Sequence, residues 1–455
     1  MVSLAERQLG RRQDRRVCVI GAGPCGLTTV KNLLAAGLKE IVCYDDGIAI
    51  GGNWVFDERS GRGCVYDATH LISSKRLSEF EDYPMPSDYP DYPSHRLVRA
   101  YFEDYAARFD LMRFICLESR VDAANLLENG KWSVVVSDPT GTREEAFDDL
   151  IVCSGHHRDP FEPNVAGHFS GQTLHARDFK RAAPFQGQRV LVVGGGNSAC
   201  DIAVDVGRVA SHTCLSMRRG YHFVPKVMLG RPSDVLYQRI RQLGLPKSWT
   251  RRLADAWVRF SVGPPEKYGL QAPAGRLFEM HPTLSSDILS ALRDGRVFAR
   301  TGIERLDGAE VRFHDGRSES FDAIIWATGY RDGFPFLNAS VVDWKPGEPP
   351  PLLLRMMHRR IASLFFVGLF QPIGCIWRLA DYQARIAALQ ITGQLQRPMD
   401  IDARIFDQIS SPHWRFDSAP RHALEVDYHD FRAELLKELA ATAQRGTERH
   451  DQALA

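Results

Sequence analysis

Three glycines near the start of the chain have the spacing of a dinucleotide-binding turn. The segment comprises Gly21, Ala22, Gly23, Pro24, Cys25 and Gly26. Its GxGxxG pattern follows the apolar run 17–20 and precedes an apolar segment with helical spacing. The first glycine permits a tight turn, the second lets the backbone approach a pyrophosphate, and the third lets the helix pack on the strand. The segment therefore predicts a helix whose N-terminus faces the phosphates of a dinucleotide.

An acidic residue follows where a ribose would require one. A second apolar run, residues 41–44, ends in Asp45, about 20 residues beyond Gly26. A carboxylate at this position accepts hydrogen bonds from a ribose diol. We therefore predict a complete βαβ unit around a nucleotide rather than an isolated glycine-rich turn.

A second dinucleotide signature lies in the segment GGGNSA, after the apolar run 190–193. Its candidate residues are Gly194, Gly196, Asn197, Ser198 and Ala199. The next apolar run, 213–216, leads to Arg218 and Arg219 instead of an acid. An arginine there can pair with the 2′-phosphate of NADPH, and a pair of solvated arginines is the alternative interpretation. The pattern favours NADPH over NADH.

Two nucleotide sites on one chain indicate a flavin and a nicotinamide, held so that hydride passes between them. The expected fold class is α/β, with two Rossmann-like, doubly wound, three-layer dinucleotide-binding domains, the second inserted in the first. We expect residues 1–160 and 326–455 to form the FAD-binding domain and residues 161–325 the NADPH-binding domain. Residues 221–280 are interpreted as a helical insertion in the second domain, and the chain is expected to end in a polar helix.

The composition is that of an ordinary globular protein. The 455 residues include 44% hydrophobic and 25% charged residues, and the formal net charge of +1 gives no support for broad binding to nucleic acid or to a membrane. The nine cysteines form no CxxC pair or metal-type spacing, which favours a reducing compartment. We expect Cys18, Cys43, Cys153 and Cys214 to be small buried hydrophobic residues. Because no signal peptide or membrane-length apolar run is seen, we expect a cytoplasmic enzyme.

The stretch between the two glycine motifs resembles the flavin-containing monooxygenase family, which belongs to the class B flavoprotein monooxygenases. The resemblance is to the soluble, bacterial-type members of the family. Phe169, Gly171, His175 and Phe179 match the family's FxGxxxHxxx(F/Y) signature. The segments IGGNW, EFEDYPMPSDYP, CSGHH, GNSACDIA and ATGY are similar to other family segments. The resemblance extends to about residue 395. We interpret His175 as a structural link near the domain junction rather than as an acid or base.

This resemblance implies a mechanism and a set of cofactor-binding residues. NADPH would reduce FAD, and the reduced flavin would take up O₂ as a C4a-hydroperoxide that passes one oxygen to an amine nitrogen or a sulfide. By motif, the FAD site would comprise the first glycine segment with Asp45, Asn53 and Trp54. The NADPH site would comprise the second segment with Arg218 or Arg219, while Gly329 in ATGY would complete the cofactor-binding set. A homodimer is also implied.

One position departs from the family pattern. The family has an asparagine near the flavin in a segment resembling TNTSKE, and Ile72 occupies that position here. Because isoleucine makes no hydrogen bond, we name Ser73, Ser74 and His70 as the candidate catalytic side chains of this loop.

Several functions stay open on these grounds. N- or S-oxygenation is the leading hypothesis, and Baeyer–Villiger oxygenation of a ketone is second. Against the latter, HARDFKRA lacks the tryptophan that the related family places after the histidine. The loss of asparagine makes an NADPH oxidase releasing hydrogen peroxide a third reading, and a non-enzymatic FAD-binding protein is the fourth. We expect the pocket to involve residues 66–95, 221–280 and 371–382, with Trp377 and Tyr382 in the core.

Overall fold

The computed structural model describes residues 12–58, 63–273, 275–285, 287–412, 416 and 422–454, with side chains through residue 441. The helices are α1 (Pro24–Ala35), α2 (Lys75–Ser78), α3 (His95–Arg108), α4 (Asn197–Val206), α5 (Ser233–Gln242), α6 (Lys247–Val262), α7 (Asp287–Arg293), α8 (Ile376–Ile391), α9 (Ile401–Ser410) and α10 (Tyr428–Leu454). Short 3₁₀ turns lie at Gly52–Trp54, Met112–Phe114, Ala183–Phe185 and Pro265–Tyr268.

Strands run through the whole chain. The first fourteen are β1 (Val17–Ile20), β2 (Ile41–Tyr44), β3 (Ile115–Cys116), β4 (Arg120–Leu126), β5 (Trp132–Asp138), β6 (Gly141–Phe147), β7 (Asp149–Val152), β8 (Asp159–Pro160), β9 (Ala166–Phe169), β10 (Gln172–His175), β11 (Arg189–Val193), β12 (His212–Ser216), β13 (Phe223–Val224) and β14 (Val227–Met228). The others are β15 (Arg231–Pro232), β16 (Thr283–Leu284), β17 (Phe298–Arg300), β18 (Ile303–Gly308), β19 (Glu310–Phe313), β20 (Ser318–Ser320), β21 (Ala323–Trp326), β22 (Tyr330–Arg331), β23 (Leu352–Leu353), β24 (Met357–His358), β25 (Leu364–Phe366), β26 (Gln371–Pro372) and β27 (Glu425–Val426).

The first large sheet carries the N-terminal glycine turn. Its order is β23-β24-β25-β7-β1-β2-β3, and the pairs around β1, from β25 to β3, are parallel. All four residues of β1 and of β7 are buried. Apart from Asp149, which pairs with Arg15, these residues are apolar because a parallel sheet is covered on both faces. The turn after β1 therefore opens at the carboxyl edge of a parallel sheet, where α/β proteins bind ligands.

The second large sheet carries the second glycine turn. Its order is β10-β21-β11-β12-β17, and every pair in it is parallel. All five of its strands lie in sequence between β7 and β23, which both belong to the first sheet. The fold class is therefore confirmed: two Rossmann-like units, with the second inserted into the first. The residue boundaries given above for the domains stay a prediction.

A buried polar cluster joins α1 to α8 in the first unit. Asp381 on α8 accepts hydrogen bonds from Lys31 Nζ and from Asn32 Nδ2, each at 2.8 Å, and from Thr28 Oγ1. All four side chains are less than a tenth exposed. Burial by itself would raise the pKa of Asp381, but Lys31 and Arg385 hold it below the ordinary value. The charged pair thus fixes the position of the helix that begins at the first glycine turn.

The insertion and the C-terminal segment meet over one face of the molecule. Helices α5 and α6 lie within residues 221–280, the segment interpreted above as a helical insertion. Strand β27, just before α10, pairs in parallel with β26, which follows the last strand of the first sheet. The C-terminal segment is therefore attached to the first unit and, through Asp427 and Asp430, forms ion pairs with the insertion.

Candidate functional site

The first glycine turn is shaped by contacts that leave no room for side chains. Gly21 has a φ of +105°, and a Cβ on Gly26 would lie 1.8 Å from the carbonyl oxygen of Gly21. Helix α1 starts from Gly23 with no side-chain cap, so its first N–H groups point outward without a side-chain acceptor. Such a terminus suits the pyrophosphate of a dinucleotide.

Asp45 stands at the end of β2 and holds the same turn. Its Oδ2 accepts the N–H of Ala22 at 2.6 Å, and its Oδ1 accepts the N–H of Gly47 at 2.7 Å. A carboxylate at the end of this strand is also the group that accepts hydrogen bonds from a ribose in dinucleotide-binding folds. The ribose contact stays a prediction from the sequence, and the structure adds that the same carboxylate fixes the turn that is predicted to face the pyrophosphate.

Asn53 and Trp54 lie in a 3₁₀ turn against the first glycine segment. Gly51 and Gly52 have positive φ values, and a Cβ on Gly23 would lie 3.6 Å from the Cα of Gly52. Trp54 packs edge-on against Trp377, with ring centroids 5.8 Å apart, while Asn53 is exposed. The expected core placement of Trp377 and Tyr382 is confirmed, since they are 7% and 1% exposed.

The second glycine turn also has a glycine that admits no side chain, but it has open space beside a second glycine. Gly194 has a φ of +140°, and a Cβ there would lie 2.2 Å from the carbonyl oxygen of Ala327. A Cβ on Gly196 would meet nothing within 4 Å, although Gly196 caps the N-terminus of α4. This open space beside a helix N-terminus is what a pyrophosphate requires. In this turn Ser198 is exposed and Ala199 is buried.

The polar groups predicted beside the second turn have different surroundings. Asn197 Oδ1 accepts the N–H of Leu284 at 2.8 Å, so this side chain ties the turn to β16. Arg218 is exposed and makes no hydrogen bond or ion pair with any residue that the structure describes. The guanidinium of Arg219 lies 5.9 Å from the ring centroid of Tyr221. Of the two arginines, Arg218 has the more accessible charge for a 2′-phosphate.

His175 of the signature joins β10 to the turn after β21. It is 2% exposed, its Nε2 lies 3.0 Å from the carbonyl oxygen of Gly329, and its Nδ1 accepts the N–H of Arg177 at 3.1 Å. Burial lowers the pKa of His175, which favours the neutral ring with a proton on Nε2. This bonding pattern supports the structural interpretation of the signature. Phe179 is also buried and packs on Tyr66.

The loop of residues 70–74, which contains Ile72, makes contacts with α2 and with the insertion. Ser73 and Ser74 are buried, and Ser73 Oγ lies 2.8 Å from Ser78 Oγ. His70 Nδ1 lies 3.0 Å from the carbonyl oxygen of Ala68, and its Nε2 contacts Lys226 Nζ from the insertion. Ile72, between them, is partly exposed. The side chains of His70 and Ser73 thus already have structural partners. Ser74 is held through its backbone N–H, which donates to Asp234.

An apolar cavity of about 110 Å³ lies between the insertion and the C-terminal segment. Its apolar wall includes Leu77, Ile240, Trp257, Phe278 and Ile373. Its polar groups include Asp234, Tyr237, Asp427 and His429. The cavity therefore involves all three regions in which the sequence predicted a pocket.

Asp234 is the cavity residue that sequence reasoning missed. It lies at the start of α5, where its Oδ2 accepts the N–H of Ser74 at 2.7 Å and its Oδ1 accepts the N–H of Val235 at 2.7 Å. Burial raises the pKa of Asp234. Its sequence context, PSDV, signals only a helix start. The cavity contribution of residues 427–429 was missed as well, because the tail was assigned no role.

The cysteines expected to be buried are confirmed as such. Cys214 lies 3.2 Å from His212 Nε2, and that nitrogen lies 2.9 Å from Glu319 Oε2. The same carboxylate is bound by Arg300. With a guanidinium already satisfying the glutamate, this group acts as an ion-pair network at the edge of the second sheet.

None of the helices in the described part of the chain is both long and apolar enough to cross a bilayer.

Comparisons with known proteins were made on this background. A family model described as flavin-binding monooxygenase-like matches residues 14–444. Flavin-containing monooxygenase 5 of Homo sapiens is 32% identical over 445 residues, which cover 92% of this chain and 82% of that protein. Dimethylaniline monooxygenase 2 of Rattus norvegicus, described as N-oxide-forming, is 32% identical over 453 residues, covering 94% and 83%. The solved structure of S-allyl-L-cysteine S-oxygenase from Allium sativum shares the fold, with a TM-score of 0.69 at 22% identity, covering 93% of this chain and 88% of that one.

Proposed function

Because this chain belongs to the flavin-binding monooxygenase-like family, we propose that it inserts one oxygen atom of O₂ into the nitrogen or sulfur of a small molecule. The chain is an oxidoreductase of the flavin-containing monooxygenase type, and its cofactors are FAD and NADPH. The nitrogen and sulfur preference, the residue roles and the route of oxygen are the parts proposed here.

Both glycine turns fit the cofactors assigned to them. In the first, side chains at Gly21 and Gly26 would collide with the backbone, and the turn is fixed by Asp45, which we expect to bind the adjoining ribose. In the second, the space beside Gly196 is open. Bound FAD and NADPH would supply the electrons and the oxygen-activating chemistry. The chain's own work is to bind the two dinucleotides, orient them and exclude water from the reacting centre.

The proposal rests on the contact between this cavity and the first cradle, which is the glycine turn of residues 21–26 together with Asp45. Cys375, in the cavity wall, donates from Sγ to the carbonyl oxygen of Ser78 at 3.6 Å, and Trp377 Nε1 donates to the same oxygen. Trp377 in turn packs on Trp54, beside the first glycine turn. The wall of this cavity is thus linked to the FAD cradle through Ser78, Trp377 and Trp54.

The apolar wall suits a small molecule whose soft reacting atom carries apolar substituents. Apolar surroundings also limit access of water, which would otherwise compete for activated oxygen. The name of the rat relative, N-oxide-forming, supports nitrogen as the accepting atom. Baeyer–Villiger oxygenation stays a prediction from sequence, and so does the homodimer.

The oxidase reading is supported by the loop at residues 70–74. Ile72 offers no hydrogen bond, and the nearby Ser73 is engaged with Ser78. If no other group in the bound enzyme compensates, NADPH will be oxidised with release of hydrogen peroxide rather than transfer of oxygen. This outcome leaves the cofactor assignment intact and removes only the oxygen-transfer step.

The test is a balance of reactants and products with purified holoenzyme. NADPH oxidation, hydrogen peroxide and product are measured together, with N,N-dimethylbenzylamine and benzyl methyl sulfide as substrates under ¹⁸O₂. We expect one labelled oxygen in the product for most of the NADPH consumed. Hydrogen peroxide equal to the NADPH consumed, with no labelled product from either substrate, would contradict the oxygenase and establish the oxidase.

A further inference from the structure

The cavity beside the first cradle holds one carboxyl group that pairs with no basic residue of the described chain. Asp427 is paired with Arg241 at 3.5 Å and with Arg251 at 3.6 Å. His429 is neutral near pH 7, because burial and then Arg241 lower its pKa to about 4. Asp234 makes no ion pair with any residue in the described part of the chain. Of the two aspartates in the cavity wall, Asp427 has basic partners, and Asp234 is the one that has none among the described residues.

The Asp234 carboxylate has spare capacity for a ligand. An ionised carboxylate accepts up to about four hydrogen bonds, and the two well-formed ones here come from the N–H groups of Ser74 and Val235. Both are backbone donors, so neither carries a formal charge. The Ser74 hydroxyl and the N–H of Asp234 itself lie nearby, and both are uncharged. A carboxylate in apolar surroundings without a counter-ion is costly, and a cationic ligand would remove that cost.

Resting on the function proposed above, we propose that Asp234 is a specificity-determining residue that selects protonated tertiary amines over neutral sulfides. The ammonium group would lie against the carboxylate, and the apolar substituents would lie against Tyr237, Trp257 and Phe278. Aromatic rings near an ammonium add to its binding through their negative faces. Anionic molecules would be excluded by the same charge.

Oxygen transfer needs the free amine, because an ammonium nitrogen has no lone pair. The proton passes from the ammonium nitrogen to a carboxylate oxygen of Asp234. The N–H bond breaks, an O–H bond forms, and the nitrogen regains its lone pair. The raised pKa of Asp234 favours this transfer, and the resulting neutral pair suits an apolar cavity better than two charges do.

The first experiment measures the preference for charge in the wild-type protein. Benzyltrimethylammonium and neopentylbenzene have the same shape and differ in charge, and neither contains a nitrogen or sulfur lone pair to oxidise. Their binding to FAD-loaded enzyme is measured by isothermal titration calorimetry without NADPH. We expect the cation to bind about 10-fold tighter or more, as a desolvated charge pair predicts. Equal affinities would overturn the inference whether or not any variant folds.

The second experiment compares two substrates in two variants. In D234N, kcat/KM for N,N-dimethylbenzylamine should fall about 10-fold or more, while that for benzyl methyl sulfide changes less than about 2-fold. The matched control is D255N, which removes one negative charge from the same insertion. Asp255 pairs with Arg259 at 3.0 Å and does not line the cavity. This control should leave both substrates unchanged.

The outcomes separate this inference from the proposed function. Equal losses for amine and sulfide in D234N would mean that Asp234 only positions the Ser74 loop, which overturns the selectivity. Cation binding that depends on Asp234, without oxygenation of either substrate, would support the recognition site and contradict the oxygenase. Oxygenation of either substrate without a preference for the cation would support the oxygenase and contradict the recognition site.

Discussion

The carboxylate of Asp234 accepts a hydrogen bond from the backbone N–H of Ser74 at 2.7 Å, across 160 residues of sequence. This bond joins the insertion of the second unit to the loop of the first unit that contains Ile72. The loop that we expect to approach the flavin is thus held by a residue of the proposed substrate cavity. Substrate binding and loop position are therefore expected to be coupled.

The two glycines of the second turn should separate stability from binding. A Cβ at Gly194 would collide with the carbonyl of Ala327, so Gly194→Ala should lower the free energy of unfolding by about 1–3 kcal/mol. Gly196→Ala meets nothing within 4 Å and should fold normally, but its methyl group occupies the space facing the pyrophosphate. We expect its Michaelis constant for NADPH to rise about 10-fold. Urea denaturation and steady-state kinetics test the pair, and similar effects of both substitutions on stability would contradict the expectation.

Asp45 should be needed for flavin retention. Asp45→Ala leaves the N–H groups of Ala22 and Gly47 without their acceptor, so we expect a loss of about 1–3 kcal/mol in stability and a lower flavin content. The ratio of flavin to protein absorbance measures the content. Asp46→Ala is the control, since Asp46 forms an exposed pair with Arg158 at 3.3 Å. Full flavin occupancy in Asp45→Ala would remove Asp45 from the FAD site.

The arginine after β12 should decide between the two nicotinamide cofactors. Arg218→Ala should raise the Michaelis constant for NADPH about 10-fold or more and leave that for NADH nearly unchanged, because NADH has no 2′-phosphate. Arg219→Ala is made in parallel, as the adjacent side chain lies near the Tyr221 ring. Kinetics with both cofactors are the measurement. Equal changes for NADPH and NADH would refute a 2′-phosphate contact.

The buried cluster around Asp381 should make the free energy of unfolding depend on pH in the acidic range. The pKa of Asp381 is lower in the fold than in the unfolded chain, so its ionised form stabilises the protein at neutral pH. That stabilisation is lost as the pH falls below about 4 and through the folded-state pKa. Asp381→Asn should cost about 3 kcal/mol or more at pH 7, because it leaves Lys31 buried with less neutralisation.

Denaturation of wild type and Asp381→Asn at several pH values checks this. The difference between the two proteins should shrink as the pH is lowered from 5 to 3. Glu103→Gln, in an exposed pair with Arg99, should change stability by less than about 1 kcal/mol. A difference that is constant across the pH range would show that ionisation of Asp381 does not contribute.

The sequence predicts the two cradles because their chemistry is local. Glycines that must adopt positive φ, such as Gly21 and Gly194, lie directly between an apolar strand and a helix, and nothing distant alters that requirement. The order of the motifs was also enough to predict the inserted topology, since the second unit falls between two parts of the first.

The rest of the site depends on contacts that no spacing reveals. Asp234 looks like a helix-start residue until α5 is seen packed on the loop at Ser74. Tyr428 lies against Gly374, and strand β27 pairs with β26, although the sequence gives no pattern that relates the two segments. Side-chain direction also escapes a linear pattern, which is why Arg218 and Arg219 could not be told apart.

The interleaving of the two sheets sets an order of events during synthesis. Strands β7 and β25 are neighbours, with Leu150 opposite Leu364, yet the whole second sheet lies between them in the chain. A ribosome therefore delivers every strand of the second unit before the first unit receives β25 and helix α8. Closing so long a loop costs chain entropy, and a folded second unit reduces that cost by bringing its ends together. We expect the NADPH-binding unit to mature first and the unit that begins the chain to be completed last.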